Sequence, residues 1–281
     1  MADAGVPSRH RIRRILVLSD TSRSGRATLE AAAELAGRQG AELVTLFVEE
    51  ADLIRAAGLP FAREVGESSA TARPMELARL ERRLKAQAAE LRRLLTRLGG
   101  RHAVTWSLRV ARGRAEVEAL AVATSGDLLV VGKQGWARLP HRRLGSTPRQ
   151  LLGQAHVSVM VYSQPRRDGH PVLVLFDYPE AGARTLALAG YIAPSPDTEL
   201  VLLLPPGASA PLREAAERAA EDRGGRVTAR ELEGREAPAL AGLVRRTTPH
   251  ALVVSRDSPF LAGTEGHRLL EALDLPVVVV P

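Results

Sequence analysis

Three glycines and a serine carry the clearest chemical signal in the chain. Gly132, Gly135, Gly145 and Ser146 stand in the spacing G-x2-G-x9-G-S, with Thr147 next. Glycine lets the backbone approach an anion without interference from a Cβ, and a helix beginning at Ser146 would offer unpaired N–H groups and about half a positive charge. Lys133, Arg138, His141, Arg142 and Arg143 lie in the same loop and add charge. Together these residues favour a phosphate-bearing ligand. The plainer reading is a glycine-rich connection that caps a helix. Pro148 suits a first helical turn but removes one possible N–H donor.

A carboxylate occupies the second candidate position. Asp20 ends the apolar run ILVLS and begins Asp20-Thr21-Ser22. It suits ribose hydroxyls, or it caps the helix that follows. In parallel α/β sheets ligands bind beyond the carboxyl ends of strands near a topological switch. Asp20, the end of the second strand at Phe47 and Val48, and Gly132 should therefore converge, with the backbone at Phe47 and Val48 able to read an adenine edge.

The elements that must hold these residues follow from hydrophobic periodicity. An apolar strand over residues 12–20, a helix over 27–37 stopped by Gly40, and a buried strand over 41–48 make a βαβ unit of the usual right hand. Residues 49–73 alternate small, polar and glycine or proline positions and read as a mobile connection. Pro74 then opens a long helix over 75–98, with leucines at 77, 80, 84, 91, 94 and 98 on one face and arginines at 79, 82, 83, 92, 93 and 97 on the other. That basic face is either solvated or a surface for an acidic protein partner. Strands over 104–110, 128–131 and 157–162, with a helix over 115–124, complete five apolar strands alternating with helices. The pattern implies a parallel sheet covered on both faces.

The second half of the sequence restates the first. ILVLSD at 15–20 aligns with VLVLFD at 172–177, and Gly25, Thr28 and Leu29 with Gly182, Thr185 and Leu186, at an offset of 157. The offset falls to 123 at Val104/Val227 and to 118 at Gly145/Gly263. A shortening of 34 residues therefore lies between Pro206 and Val227, and one of 5 between Ser258 and Gly263. This pattern reads as a tandem duplication, with domains at 11–164 and 170–281 joined through SQPRR. In the second copy GKQG becomes Ser255-Arg256-Asp257-Ser258, so both early glycines are gone and a carboxylate stands where phosphate would lie. An empty or altered site and a structural role are expected there.

Composition narrows the function classes. A chain of 281 residues with 45% hydrophobic content can bury two ordinary cores, and the absence of cysteine removes thiol chemistry and suits a reducing cytoplasm. No stretch approaches the roughly 20 apolar residues that span a bilayer, so no membrane insertion is expected. The run at 15–18 is too short for a signal peptide. The net charge of +7 and pI near 10.7 invite a nucleic-acid reading, but the arginines are dispersed among acids and aromatics make up only 3%. Nucleic acid is thus the weaker reading. The histidines form no HExxH or paired ligand spacing, no GxxxxGK[ST] or GxSxG is present, and no positioned general base supports an enzyme, though slow ATP hydrolysis would be compatible.

ILVLSD at 15–20, ELVTLFV at 42–48, DLLVVGKQG at 127–135 and LGST at 144–147 together resemble the universal stress protein family, and the resemblance covers nearly the whole chain as a tandem pair. It implies an α/β fold of two repeated five-stranded parallel-sheet domains. Each would be doubly wound in the order 3-2-1-4-5, adenine-nucleotide alpha hydrolase-like, and the two would pack as a pseudo-dimer. Family members bind ATP or related nucleotides, or have lost the site, and commonly act in stress adaptation. By that resemblance Asp20, with Thr21 beside it, and Val48 meet the nucleoside. Gly132, Gly135, Gly145, Ser146 and Thr147 hold the phosphates of ATP or AMP/ADP, with Lys133 and Arg143 as nearby cations and magnesium as the accompanying ion. The leading reading is a cytoplasmic nucleotide-binding regulator with its ligand in the first domain. The alternatives are a nucleotide-independent adaptor that binds a transporter or enzyme, and an enzyme acting on a nucleotide or phosphorylated small molecule. A monomer with an internal pseudo-dimer and a homodimer are both compatible.

Overall fold

The computed structural model describes residues 12–65, 72–133, 144–163 and 169–281. In the first half β1 (Arg14–Leu18), α1 (Arg23–Gln39) and β2 (Glu42–Glu50) lead into α2 (Ala51–Ala57) and the short strands β3 (Arg63–Val65) and β4 (Ala72–Pro74). Then come α3 (Leu77–His102), β5 (Trp106–Gly113), α4 (Ala115–Val122), β6 (Asp127–Gly132), α5 (Ser146–Gln154) and β7 (Ser158–Tyr162). The second half runs β8 (Val172–Leu175), α6 (Pro179–Ile192), β9 (Leu200–Leu204), α7 (Ala210–Arg223), β10 (Val227–Glu231), α8 (Ala237–Thr247), β11 (Ala251–Ser255), α9 (Gly263–Ala272) and β12 (Val277–Val280).

Ten strands form one sheet in the order β10-β9-β8-β11-β12-β7-β6-β1-β2-β5. Each half contributes five parallel strands in the order 3-2-1-4-5, and the halves meet where β12 pairs antiparallel with β7, Val277 opposite Val161 and Val279 opposite Val159. Either strand alone would be an open edge, so the pairing satisfies both and carries one sheet across the molecule. Apolar side chains alternate between its two faces. Ile15, Val17, Val130, Val174 and Val253 join a core under α1, α3, α6 and α7, while Leu16, Leu129, Leu173 and Val254 join one under α4, α5, α8 and α9. Both cores run through both halves, which is how the near-continuous valine and leucine runs become buried on two sides.

Local chemistry sets the ends of the elements. Ser22 caps α1 by accepting the Gly25 N–H at 2.9 Å, and Gly40 ends that helix in the left-handed conformation at φ 62°. Two expectations from the sequence change here. Residues 49–73 are not merely a connection: α2 follows β2 without a break, Ala57 is buried, and β3 and β4 pair as a hairpin with Arg63 opposite Pro74. Pro74 does not open α3 but ends β4, and the helix begins three residues later at Leu77. Proline's missing N–H costs nothing at the margin of a two-stranded hairpin.

Candidate nucleotide site

The carboxyl ends of β1, β2 and β6 and the start of α5 bring the first-half candidates to one end of the sheet. Asp20 stands two residues past β1. Its Oδ1 accepts the Ser22 backbone N–H at 2.9 Å and the Ser22 hydroxyl, so this oxygen shapes the α1 cap. The turn is tight: a Cβ at Gly25 would overlap Asp20 Oδ1 and the Asp20 carbonyl. Thr21 Oγ1 accepts from Gln87 Nε2 at 3.1 Å, which ties the turn to α3.

β2 outruns β1. Even-numbered residues of β2 bond toward β1, as the Glu42 N–H to Arg13 O and the Ser19 N–H to Leu46 O show. That ladder stops at Leu46 while β2 continues to Glu50 against β5. The N–H and C=O of Val48 therefore face the space beyond β1, available to an edge-on planar ligand.

On the other side β6 ends at Gly132 and α5 starts at Ser146. The Gly145 N–H is spent on Lys133 O at 3.1 Å, and Gly145 O accepts the Arg149 N–H. No side chain caps α5, and Pro148 is buried within its first turn. The N–H groups of Ser146 and Thr147 are left as the donors at this helix end. Gly135 and Arg143, with Arg138, His141 and Arg142, lie outside the described residues.

Lys133 departs from its expected place. It is only 6% exposed, and its Nζ donates to Glu271 O at 3.0 Å and to Leu273 O, the carbonyls that end α9 in the other half. Burial pushes its ammonium below the usual lysine range, with Asp274 and Glu271 opposing. Arg256, in the same place after β11, reaches back to Ala155 O at the end of α5. Each half thus sends a cation to the carbonyl end of the other half's last helix, where the macrodipole is negative. Arg149 and Glu271 add an ion pair across the same junction at 3.2 Å. The sequence reading missed this reciprocity, although a cation retained at both positions while the glycines changed was its visible sign.

The matching place in the second half is filled by the chain itself. Ser258 is buried, Pro259–Leu261 forms a turn of 3-10 helix, and Phe260 packs in the core at 5% exposure. That loop presses on α9 so closely that a Cβ at Gly266 would overlap the Leu261 carbonyl. Pro205, the counterpart of Val48, has no N–H to offer, and Pro179 replaces the capping Ser22. Burial raises the carboxyl of Asp177 above the usual range, with the Ser258 hydroxyl opposing, and its Oδ2 has no hydrogen-bond partner.

Family comparison agrees with this architecture. The model of the universal stress protein family matches residues 11–163, more than half of the chain. The chain belongs to the universal stress protein family. Among solved structures, a universal stress protein from Archaeoglobus fulgidus is 15% identical and superposes with a TM-score of 0.71, covering 96% of both chains. A putative universal stress protein from Pseudomonas aeruginosa UCBPP-PA14 is 18% identical with a TM-score of 0.63, covering 96% of this chain and 93% of its own. A functionally unknown protein from Pseudomonas aeruginosa PAO1 is 17% identical with a TM-score of 0.59, covering 96% and 92%. At these identities the likeness is one of fold. No curated protein sequence matches the chain. No helix among the described residues is long and apolar enough to cross a membrane.

Proposed function

We propose that this universal stress protein binds one adenine nucleotide, at the carboxyl end of its first-half sheet, and acts as a stress-response regulator whose second half is structural. The two halves are read as duplicated domains, 11–164 and 170–281. The observation that carries the proposal is the contrast between equivalent places. In the first half the Val48 backbone is open and α5 begins uncapped at Ser146, whereas in the second Pro205 removes the donor and Phe260 fills the loop space.

The residues present fit ATP, ADP or AMP in a defined way. The Val48 backbone would read the adenine edge. The Asp20 oxygen not engaged by Ser22 would take a ribose hydroxyl. Gly132, Gly135, Ser146 and Thr147 would surround phosphate, with Arg143 as a neighbouring cation. Gly145 shapes the helix start rather than donating, and Lys133 serves the junction between halves. Any magnesium would arrive on the nucleotide's own phosphates. Calorimetric titration of ATP, ADP and AMP into wild type and Gly132→Val/Gly135→Val tests the reading. Binding by wild type and its loss in the variant is expected. Equal affinities would remove the cradle, and no binding by wild type would favour a nucleotide-independent adaptor.

A further inference from the structure

The second half shows that the fold closes without α2, β3, β4 and much of α3: β9 passes through a short turn, Pro205–Ser209, directly to α7. The first half nevertheless carries this segment, which holds the two most exposed large apolar side chains among the described residues. Val65, on the outer face of the hairpin, is 67% exposed with exposed Ala72 and Pro74 beside it, and Phe61 and Leu59 in the turn before β3 are 77% and 46% exposed. The opposite face of the hairpin is anchored: Glu64 holds Arg73 at 2.7 Å and Arg83 of α3 at 3.3 Å. The hairpin is thus tied to α3 through Glu64 and Arg83, and its exposed apolar side chains lie away from that tie.

The helix that follows carries charge on its outer side. Leu80, Leu84, Leu91, Leu95 and Leu98 face the core, and the opposite side exposes Arg79, Arg82, Lys85, Arg92, Arg93 and Arg97. None of these six pairs with an acid among the described residues, whereas Glu90, nearer the core, is taken by Arg26. From Arg79 to Arg97 the row spans about 27 Å at 1.5 Å per residue. In α7, the corresponding helix of the second half, Arg213 pairs with Glu231 and Arg218 with Glu214, so an unpaired basic row is not demanded by the fold.

We infer that the hairpin and the basic row of α3 form a peripheral docking surface for an anionic lipid membrane, with Phe61 and Val65 entering the headgroup region and the cations facing acidic headgroups. The charge row repels a second copy of itself. A stable protein interface takes about 20–30 residues a side, far more than these few apolar side chains supply. Shallow adsorption instead needs a few apolar side chains beside a row of cations and no matched partner geometry. Arg63, on the same strand face as Val65, can extend its charged head to the phosphate level while its stem lies with the apolar groups.

Vesicle flotation with the full chain tests the assignment, using phosphatidylcholine alone and phosphatidylcholine with about 30% phosphatidylglycerol. Wild type should partition at least about tenfold more strongly to the anionic vesicles at about 50 mM salt and be released at about 500 mM. Arg82→Glu/Arg93→Glu and, independently, Lys85→Glu/Arg97→Glu should each lower partitioning by about tenfold or more. Phe61→Ser should weaken it by about fivefold to tenfold. These side chains are exposed, so unchanged thermal unfolding serves as the folding control. Failure of wild type to float with anionic vesicles at low salt overturns the inference, as does flotation of all three variants like wild type. Tighter binding to a DNA duplex or to polyglutamate than to the vesicles would give the surface to a macromolecular partner and reject the lipid.

Discussion

Replacing Lys133 with methionine separates a junction role from a ligand role. The substitution keeps an unbranched side chain of similar length but removes the ammonium that donates to Glu271 O and Leu273 O. A hydrogen bond to a charged group contributes about 1.5–3 kcal/mol, and two such bonds would cost about 3–6 kcal/mol if nothing compensated. Two effects reduce that. Methionine avoids the cost of burying a cation, and the carbonyls at the end of α9 can recruit water. A net loss of about 2 kcal/mol is expected, equivalent to a fall in unfolding midpoint of about 3–4 °C for a chain of 281 residues. Scanning calorimetry at neutral pH reads it directly, and ATP titration of the same variant should give an affinity within about threefold of wild type. An unchanged midpoint together with a tenfold or greater loss of ATP affinity would refute the reasoning and return Lys133 to the phosphates.

Two pH-linked predictions concern groups that burial has shifted upward. Asp177 is buried beside Ser258 with its carboxyl raised, so the native state binds a proton more readily than the unfolded chain, and stability falls as pH rises from the ordinary carboxylate range through the raised value. Asp177→Asn should therefore raise the unfolding midpoint at neutral pH and lessen the fall in midpoint as pH rises above the ordinary carboxylate range, measured by calorimetry; a lowered midpoint at neutral pH would contradict it. Burial pushes the Tyr162 hydroxyl up to about 12, with Glu34 and Glu30 adding to the shift. Its contribution is complete below pH 10 and lost as pH rises toward 12, so urea unfolding should show a stability loss on the order of 2 kcal/mol across that window that Tyr162→Phe lacks.

Most of the fold was legible because parallel sheets leave a strong trace. Runs such as VLVL at Val172–Leu175 and VVVV at Val277–Val280 have no polar face, and their alternation with helices at matching offsets marks a parallel sheet twice, while the strand order followed from the family resemblance. The hairpin was not legible: REV and ARP are three residues each, too short for a periodic pattern, and the Glu64 bridges to Arg73 and Arg83 that hold them show no spacing signal in the sequence. Asp20 illustrates an intermediate case. The sequence offered a cap and a ribose ligand, and the structure commits one oxygen to the cap while leaving the other function compatible with it. Lys133 was misplaced because proximity in sequence to Gly132 says nothing about direction. Its partners lie 138 and 140 residues away, across a junction that exists only once both halves have folded.

The asymmetry between the two ends of the sheet is the central claim, and counting nucleotides tests it most directly. Native mass spectrometry of the intact 30.2 kDa chain at saturating ATP should show one nucleotide bound per chain, lost in Gly132→Val/Gly135→Val and retained in Asp177→Asn. Two nucleotides per chain, or one that survives the glycine substitutions and disappears with Asp177→Asn, would contradict the account.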